Sequence, residues 1–70
     1  MPLFMADPGM PIRVVQIRGK EETRRFLESL GFVAGSVVTV IAENGGNLIV
    51  NIRESRVAIS RAMASKIFVS

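Results

Sequence analysis

Few side chains in this sequence are able to do chemistry, and their spacing organises none of them into a reactive group. There is no cysteine and no histidine. Their absence removes the common zinc sites, the thiolate nucleophiles and the side chain most often used as a general base near neutral pH. The carboxylates are scattered: Glu21, Glu22 and Glu28 share a helical segment, Glu43 stands at a hairpin shoulder and Glu54 in a turn. A hard-cation site asks for several carboxylates at loop spacing, and no run of that kind is present. Ser55 and Ser60 have no neighbouring base to activate them, so hydroxyl capping is their expected task. Gly31 with Gly35, and Gly45 with Gly46, are not followed by a helix whose N-terminus would complete a phosphate cradle. The expectation is therefore no catalytic residue, no metal ligand and no cofactor, and a protein that is not an enzyme.

What remains is binding. The chain carries a formal net charge of +3, a mild basic excess that suits nucleic acid, anionic lipid or an acidic protein. The arginines and lysines are spread along the whole length, with Glu21, Glu22, Glu28 and Glu54 beside several of them. A small barrel that binds single strands needs exposed aromatic platforms as well as a basic groove. Here there is no tryptophan or tyrosine, Phe26 is expected in the core and Phe32 in an apolar turn, leaving only Phe4 and Phe68. Nucleic acid is disfavoured on that ground. Apolar residues are in surplus instead, at 49% of the sequence. Val14, Ile41, Ile49 and Phe68 cannot all share one interior with the residues assigned there. Either the helix and the N-terminal arm cover them, or they mark a protein contact. With Arg24 and Arg25 they form the expected partner-binding set, and weak self-association stays open.

The elements that must position this set are short. Residues 1–11, with three prolines, are expected as a flexible arm ahead of one domain over residues 12–70. Ile12 to Arg18 alternates as a strand, with Val15 and Ile17 expected inward. Lys20 to Leu30 switches to a helical period, with acids in its first turn and Gly31 placed for a left-handed C-cap. Ser36 to Glu43 is apolar on both faces, whereas Asn47 to Arg53 alternates cleanly, with Leu48, Val50 and Ile52 inward and Ile49 on the polar side. Asn44-Gly45-Gly46 between them is a strong hairpin signal. Glu54 to Arg56 is expected as a tight connection to Val57-Ala58-Ile59, Ser60 as the N-cap of one helical turn, and Lys66 to Ser70 as the last strand.

This order predicts an all-β fold with one inserted helix: a small SH3-like barrel of five short antiparallel strands, with an OB-type barrel as the competing topology. The longest apolar run, Val37 to Ala42, is interrupted by Thr39 and falls far short of the ~18 residues of a membrane-spanning helix. No export signal opens the sequence, so a cytoplasmic location without membrane insertion is expected.

From Leu30 onward the residues resemble the FeoA family, the small cytosolic proteins linked to the bacterial ferrous-iron transporter FeoB. Leu30-Gly31-Phe32, Gly35 and the alternating Val38 and Val40 are similar to the family's helix-to-strand junction. Asn44 to Val50 resembles its central hairpin, and Arg56 to Ser60 with Met63-Ala64 its closing segment. The resemblance implies an SH3-like barrel that associates with the cytosolic GTPase-bearing region of FeoB and supports iron uptake, at the membrane only through that partner. Similar domains close metal-dependent transcriptional repressors, so a metal-linked regulatory module acting in trans is the alternative, beside a small nucleic-acid-binding barrel.

The alternation in Asn47 to Arg53 yields a direct expectation. Val50→Glu should unfold the domain by burying an unpaired charge, whereas Ile49→Glu should leave it folded. Thermal melts of the two variants check this, and equal unfolding would make Ile49 a core residue.

Overall fold

Gly45 and Gly46 take φ of 61° and 84°, the combination a two-residue type I′ turn requires and one that glycine adopts without a Cβ clash. They join β2 (Val37–Asn44) to β3 (Asn47–Ile52) as antiparallel neighbours, with Asn44 facing Asn47 across the ladder. In the computed structural model, which describes residues 1–70, the reversal thus belongs to the glycine pair and Asn44 ends the strand. β3 turns through Arg53 and Glu54 into β4 (Ser55–Ser60), so pairing resumes at Ser55, earlier than the expected Val57. Arg53 makes this shorter turn possible by adopting φ 56°, the one non-glycine residue in the left-handed region.

β1 (Ile12–Ile17) pairs with β2 on one side and with β5 (Ile67–Val69) on the other. The sheet is antiparallel throughout, in the order β4-β3-β2-β1-β5. Its ladder stays open, because β4 and β5 are the two ends and do not bond to each other. Packing closes the space between them. The helical turn α2 (Arg61–Ala64) links β4 to β5 and buries Ala64, and Ser60 caps it by accepting the Met63 N–H at 3.1 Å.

Helix α1 (Glu21–Ser29) follows β1. Past its C-terminus the Gly31 N–H donates to the Glu28 carbonyl at 3.0 Å and the Phe32 N–H to the Leu27 carbonyl at 3.1 Å. This bond pair is the Schellman motif, which needs a residue at positive φ and brings an apolar pair to the helix end. Gly31 supplies φ 110°, and Leu27 and Phe32 are both fully buried. Phe26, expected in the core, is instead 47% exposed. At roughly 100° per residue it falls on the flank of the stripe that Thr23, Leu27 and Leu30 turn toward the sheet, and so short a helix buries only a narrow stripe.

The inward parity of β1 is also the reverse of the expectation. Val14 is fully buried and Val15 is 48% exposed. A register shift between Val14 and Gln16 explains both faces: even-numbered residues point inward up to Val14, the irregularity intervenes, and Ile17 returns to partial burial. A second shift, between Val40 and Ala42, ends the buried alternation of Val38 and Val40 and leaves Ile41 exposed. β3 follows the expected pattern throughout, with Leu48, Val50 and Ile52 buried and Ile49 half-buried.

Residues 1–11 differ most from the flexible arm expected of them. The Met1 ammonium donates to the Val69 carbonyl at 2.9 Å, Val69 returns its N–H to the Met1 carbonyl at 2.8 Å, and Pro2 bridges to Phe68. A 3-10 turn over Leu3–Met5 follows, and the Gly9 N–H reaches the Val40 carbonyl at 2.8 Å, at the position where the β2 ladder is irregular. Leu3 is fully buried within a single core cluster of 14 residues. The cause is a shortage: a chain this small without cross-links buries only about 60% of its unfolded surface, so Leu3 is drawn into the core and Phe4 packs against it. Leu3→Ala should accordingly cost about 2–5 kcal/mol, the range for a buried leucine. Chemical denaturation measures it, and a change below about 0.5 kcal/mol would mean that the segment contributes no core.

Candidate docking cleft

The register shift in β1 does more than exchange two valines. It turns Val15 outward toward α1, and an open cleft of about 730 Å³ lies between the strand and the helix. Val15, Ile17 and Ala34 supply its apolar lining, and Arg18, Arg24 and Glu28 its charges. Gly19 ends the strand side at φ 115°, where a Cβ would stand 2.8 Å from the Lys66 side chain. The Arg18 N–H donates to the Lys66 carbonyl at 2.8 Å, which fixes the end of β1 against the start of β5. The Arg18 guanidinium then lies 4.5 Å from the centroid of the Phe68 ring, a cation–π contact worth ~0.5–1 kcal/mol where exposed. Arg24 is held more loosely, 3.5 Å from Glu21, which also takes Arg25 at 3.2 Å. These exposed pairs orient side chains and add only a few tenths of a kcal/mol, about 0.2–0.5 each.

The expected partner-binding set is divided by the fold. Arg24 lines the cleft, and half-buried Phe68 supports Arg18 beside it. Arg25 is exposed and engaged with Glu21 but does not line the cleft. Ile41 and Ile49 lie away from the cleft on the β2–β3 hairpin, where Ile49 pairs with Ala42 and Ile41 falls at the register shift. Val14 is in the core and cannot touch a partner; its N–H and C=O are bonded to Ser36 and Gly35, both at 2.8 Å. Val15 and Arg18, which face the cleft, were not anticipated from the sequence. The available signal was the doubled valine in Ile12 to Arg18, which breaks strict alternation and is where the strand slips by one position.

An open cleft lined by three apolar residues, two guanidiniums and one carboxylate suits an irregular protein segment carrying apolar and acidic groups. No three His, Cys, Asp or Glu side chains converge anywhere in the chain. No helix is long and apolar enough to cross a membrane. Fold and cleft together define a small antiparallel-sheet module with an open, partly charged cleft.

Comparison with known proteins places that module. The model of the FeoA domain matches residues 1–70, and the chain belongs to this family. It is similar to the crystal structure of an iron uptake regulatory protein, FeoA, at 28% identity and a TM-score of 0.90, covering 99% of this chain and 93% of that one. It is also similar to Stenotrophomonas maltophilia FeoA complexed with zinc, described as a procaryotic SH3 domain protein, at 25% identity and a TM-score of 0.87 over 100% of this chain and 89% of that one. The fold is thus SH3-like. A manganese-dependent transcriptional repressor in complex with manganese shares the fold alone, at 23% identity and a TM-score of 0.90, with 100% of this chain aligned to 35% of that one. Comparison with curated proteins finds no match. Family membership implies involvement in ferrous-iron transport, as an accessory domain and not as part of a known enzyme family.

The reassignment of Val14 is open to measurement. Val14→Ala should destabilise the domain by on the order of 2 kcal/mol, because it opens a cavity in a fully packed site. The midpoint of urea unfolding reports it, and an unchanged midpoint would return Val14 to the surface set.

Proposed function

We propose that this chain is a non-enzymatic accessory protein of bacterial ferrous-iron transport that acts by binding the cytosolic, GTPase-bearing region of a FeoB-like transporter. It works in the cytoplasm and reaches the membrane only through that partner. The observation that carries the reading is the FeoA family match along the whole chain, and the cleft between β1 and α1 supplies a surface of fitting chemistry. Val15 and Ile17 receive apolar side chains, and Arg18 and Arg24 receive carboxylates. The stacking of Arg18 on Phe68 holds one of these charges in place before binding, which lowers the side-chain entropy lost on docking.

Titrating the isotope-labelled chain with the partner's cytosolic region tests this by amide shifts. Saturable shifts centred on Val15 to Gly19 are expected. Arg18→Glu should weaken binding at least tenfold, about 1.4 kcal/mol, whereas Arg25→Glu should leave it within about twofold. Shifts absent from the cleft, or appearing only with oligonucleotides and fading steeply with salt, would overturn the proposal.

A further inference from the structure

β4 is the outer strand of the sheet, and only β3 pairs with it. The hairpin register determines which of its backbone groups are free. Ile52 and Ser55 close the turn as partners, so Ser55, Val57 and Ile59 direct their N–H and C=O groups toward β3. The Arg61 N–H, on the same parity, donates to the Gly46 carbonyl at 3.0 Å. The alternate residues Arg56 and Ala58, and the N–H of Ser60, therefore face away from the sheet. The other sheet end is occupied, since Met1 and Pro2 bond to Val69 and Phe68 along β5. Natural sheets guard such an edge with proline, lysine or a covering loop. This one carries the single charge of Arg56, which repels a basic strand and not an acidic one, and presents Ala58 at its centre with no proline or lysine.

The surroundings of the edge select its occupant. Arg53 and Arg56 line a wholly polar recess of about 330 Å³ at the start of β4, with Asn51, Glu54 and Ser55. Arg56 donates from Nε to Asn51 Oδ1 at 3.1 Å, and neither arginine has a carboxylate within ion-pair distance. On the opposite face of the strand Val57 is only partly buried against the core. An added strand would thus meet cations on one face and an apolar side chain on the other. We propose that the free edge of β4 is a strand-addition site for an extended partner segment in which acidic and apolar residues alternate. Backbone bonds to Arg56 and Ala58 give register, and the alternation gives selectivity. A second copy is a poorer occupant: its β5 edge is already filled, and its own β4, Ser55–Ser60, carries no carboxylate to meet Arg53 and Arg56.

The test titrates the labelled full chain with a peptide of alternating glutamate and valine, and with its lysine–valine counterpart. The acidic peptide should shift the Arg56, Ala58 and Ser60 amides and slow their hydrogen exchange, while the basic one leaves them unchanged. Arg56→Glu and Ala58→Pro should each weaken binding at least about tenfold with little change in melting temperature, because the Ala58 N–H faces away from β3. If Ala58→Pro unfolds the chain, Arg56→Glu alone decides. Equal responses to both peptides, or shifts confined to the cleft residues Val15 to Gly19, would overturn the proposal. So would slow exchange of the three amides without peptide in a chain that sediments as a dimer.

Discussion

β1 is the strand on which both halves of the sheet depend, and its one irregularity governs the molecule. It bonds β2 on one side and β5 on the other, so any loss of its register separates the hairpin strands from the chain ends. Val14 sits where these ladders meet, fully buried, its backbone groups held by Ser36 and Gly35 beyond the helix. A straight strand continuing from Val14 would have sent Gln16 into the interior. The shift at Val15 avoids burying that amide, which would cost on the order of 1–3 kcal/mol without a partner, and it brings Ile17 back toward the core. The cleft is a consequence of the same step: the residue displaced outward is a valine, and it stands across from α1. One local solution to a packing problem therefore also produces the surface assigned to docking.

The helix answers the opposite problem, how to cover an apolar sheet with very little chain. Leu27 and Phe32 reach the core from the two sides of Gly31, and neither would arrive there without a residue at positive φ between them. The site has little tolerance, since a Cβ on Gly31 would lie 3.3 Å from Ile52 on β3. The Schellman bonds thus fix the helix end beside Ile52, the last residue of β3. The N-terminal segment performs the matching task at the other end. It covers the edge of β5, passes α2, where Arg61 lies 4.8 Å from the Phe4 ring, and reaches the irregular position of β2. The open ladder is completed by side chains and single bonds in place of a fifth pairing.

Much of this was legible because several elements carry local chemistry that admits one solution. Two glycines between alternating runs demand a hairpin, Ser60 before a short apolar turn caps it, and Leu48, Val50 and Ile52 alternate without interruption. The misread elements share a physical cause as well. Alternation alone cannot assign parity to Ile12 to Arg18, where apolar residues occupy both phases, and the outcome depends on β5, which arrives from the far end of the chain. Phe26 looked internal because helical spacing was weighed without the width of the sheet beneath it. Leu3 looked external because prolines mark the absence of regular structure, which says nothing about burial. The candidate site was less legible than the fold for the same reason: Arg24 and Phe68 could be named from composition, but Arg18 acquires its position only through the contact with Phe68.

A domain this small keeps several apolar side chains outside, Val15, Val37 and Ile41 among them. Leaving them partly exposed forgoes a share of the roughly 1.5–3 kcal/mol that full burial of each gives, which matters against a total stability of about 5–15 kcal/mol. They are affordable only because the 14-residue core is otherwise free of defects, with no buried polar side-chain atom lacking a partner. Charge stands beside these exposed residues. Arg13 stands opposite Val37 across the β1–β2 ladder, and Arg18 and Arg24 flank Val15. Cations beside apolar groups repel a second identical surface and attract an acidic one. The same placement is the chemistry that the proposed acidic partner would meet.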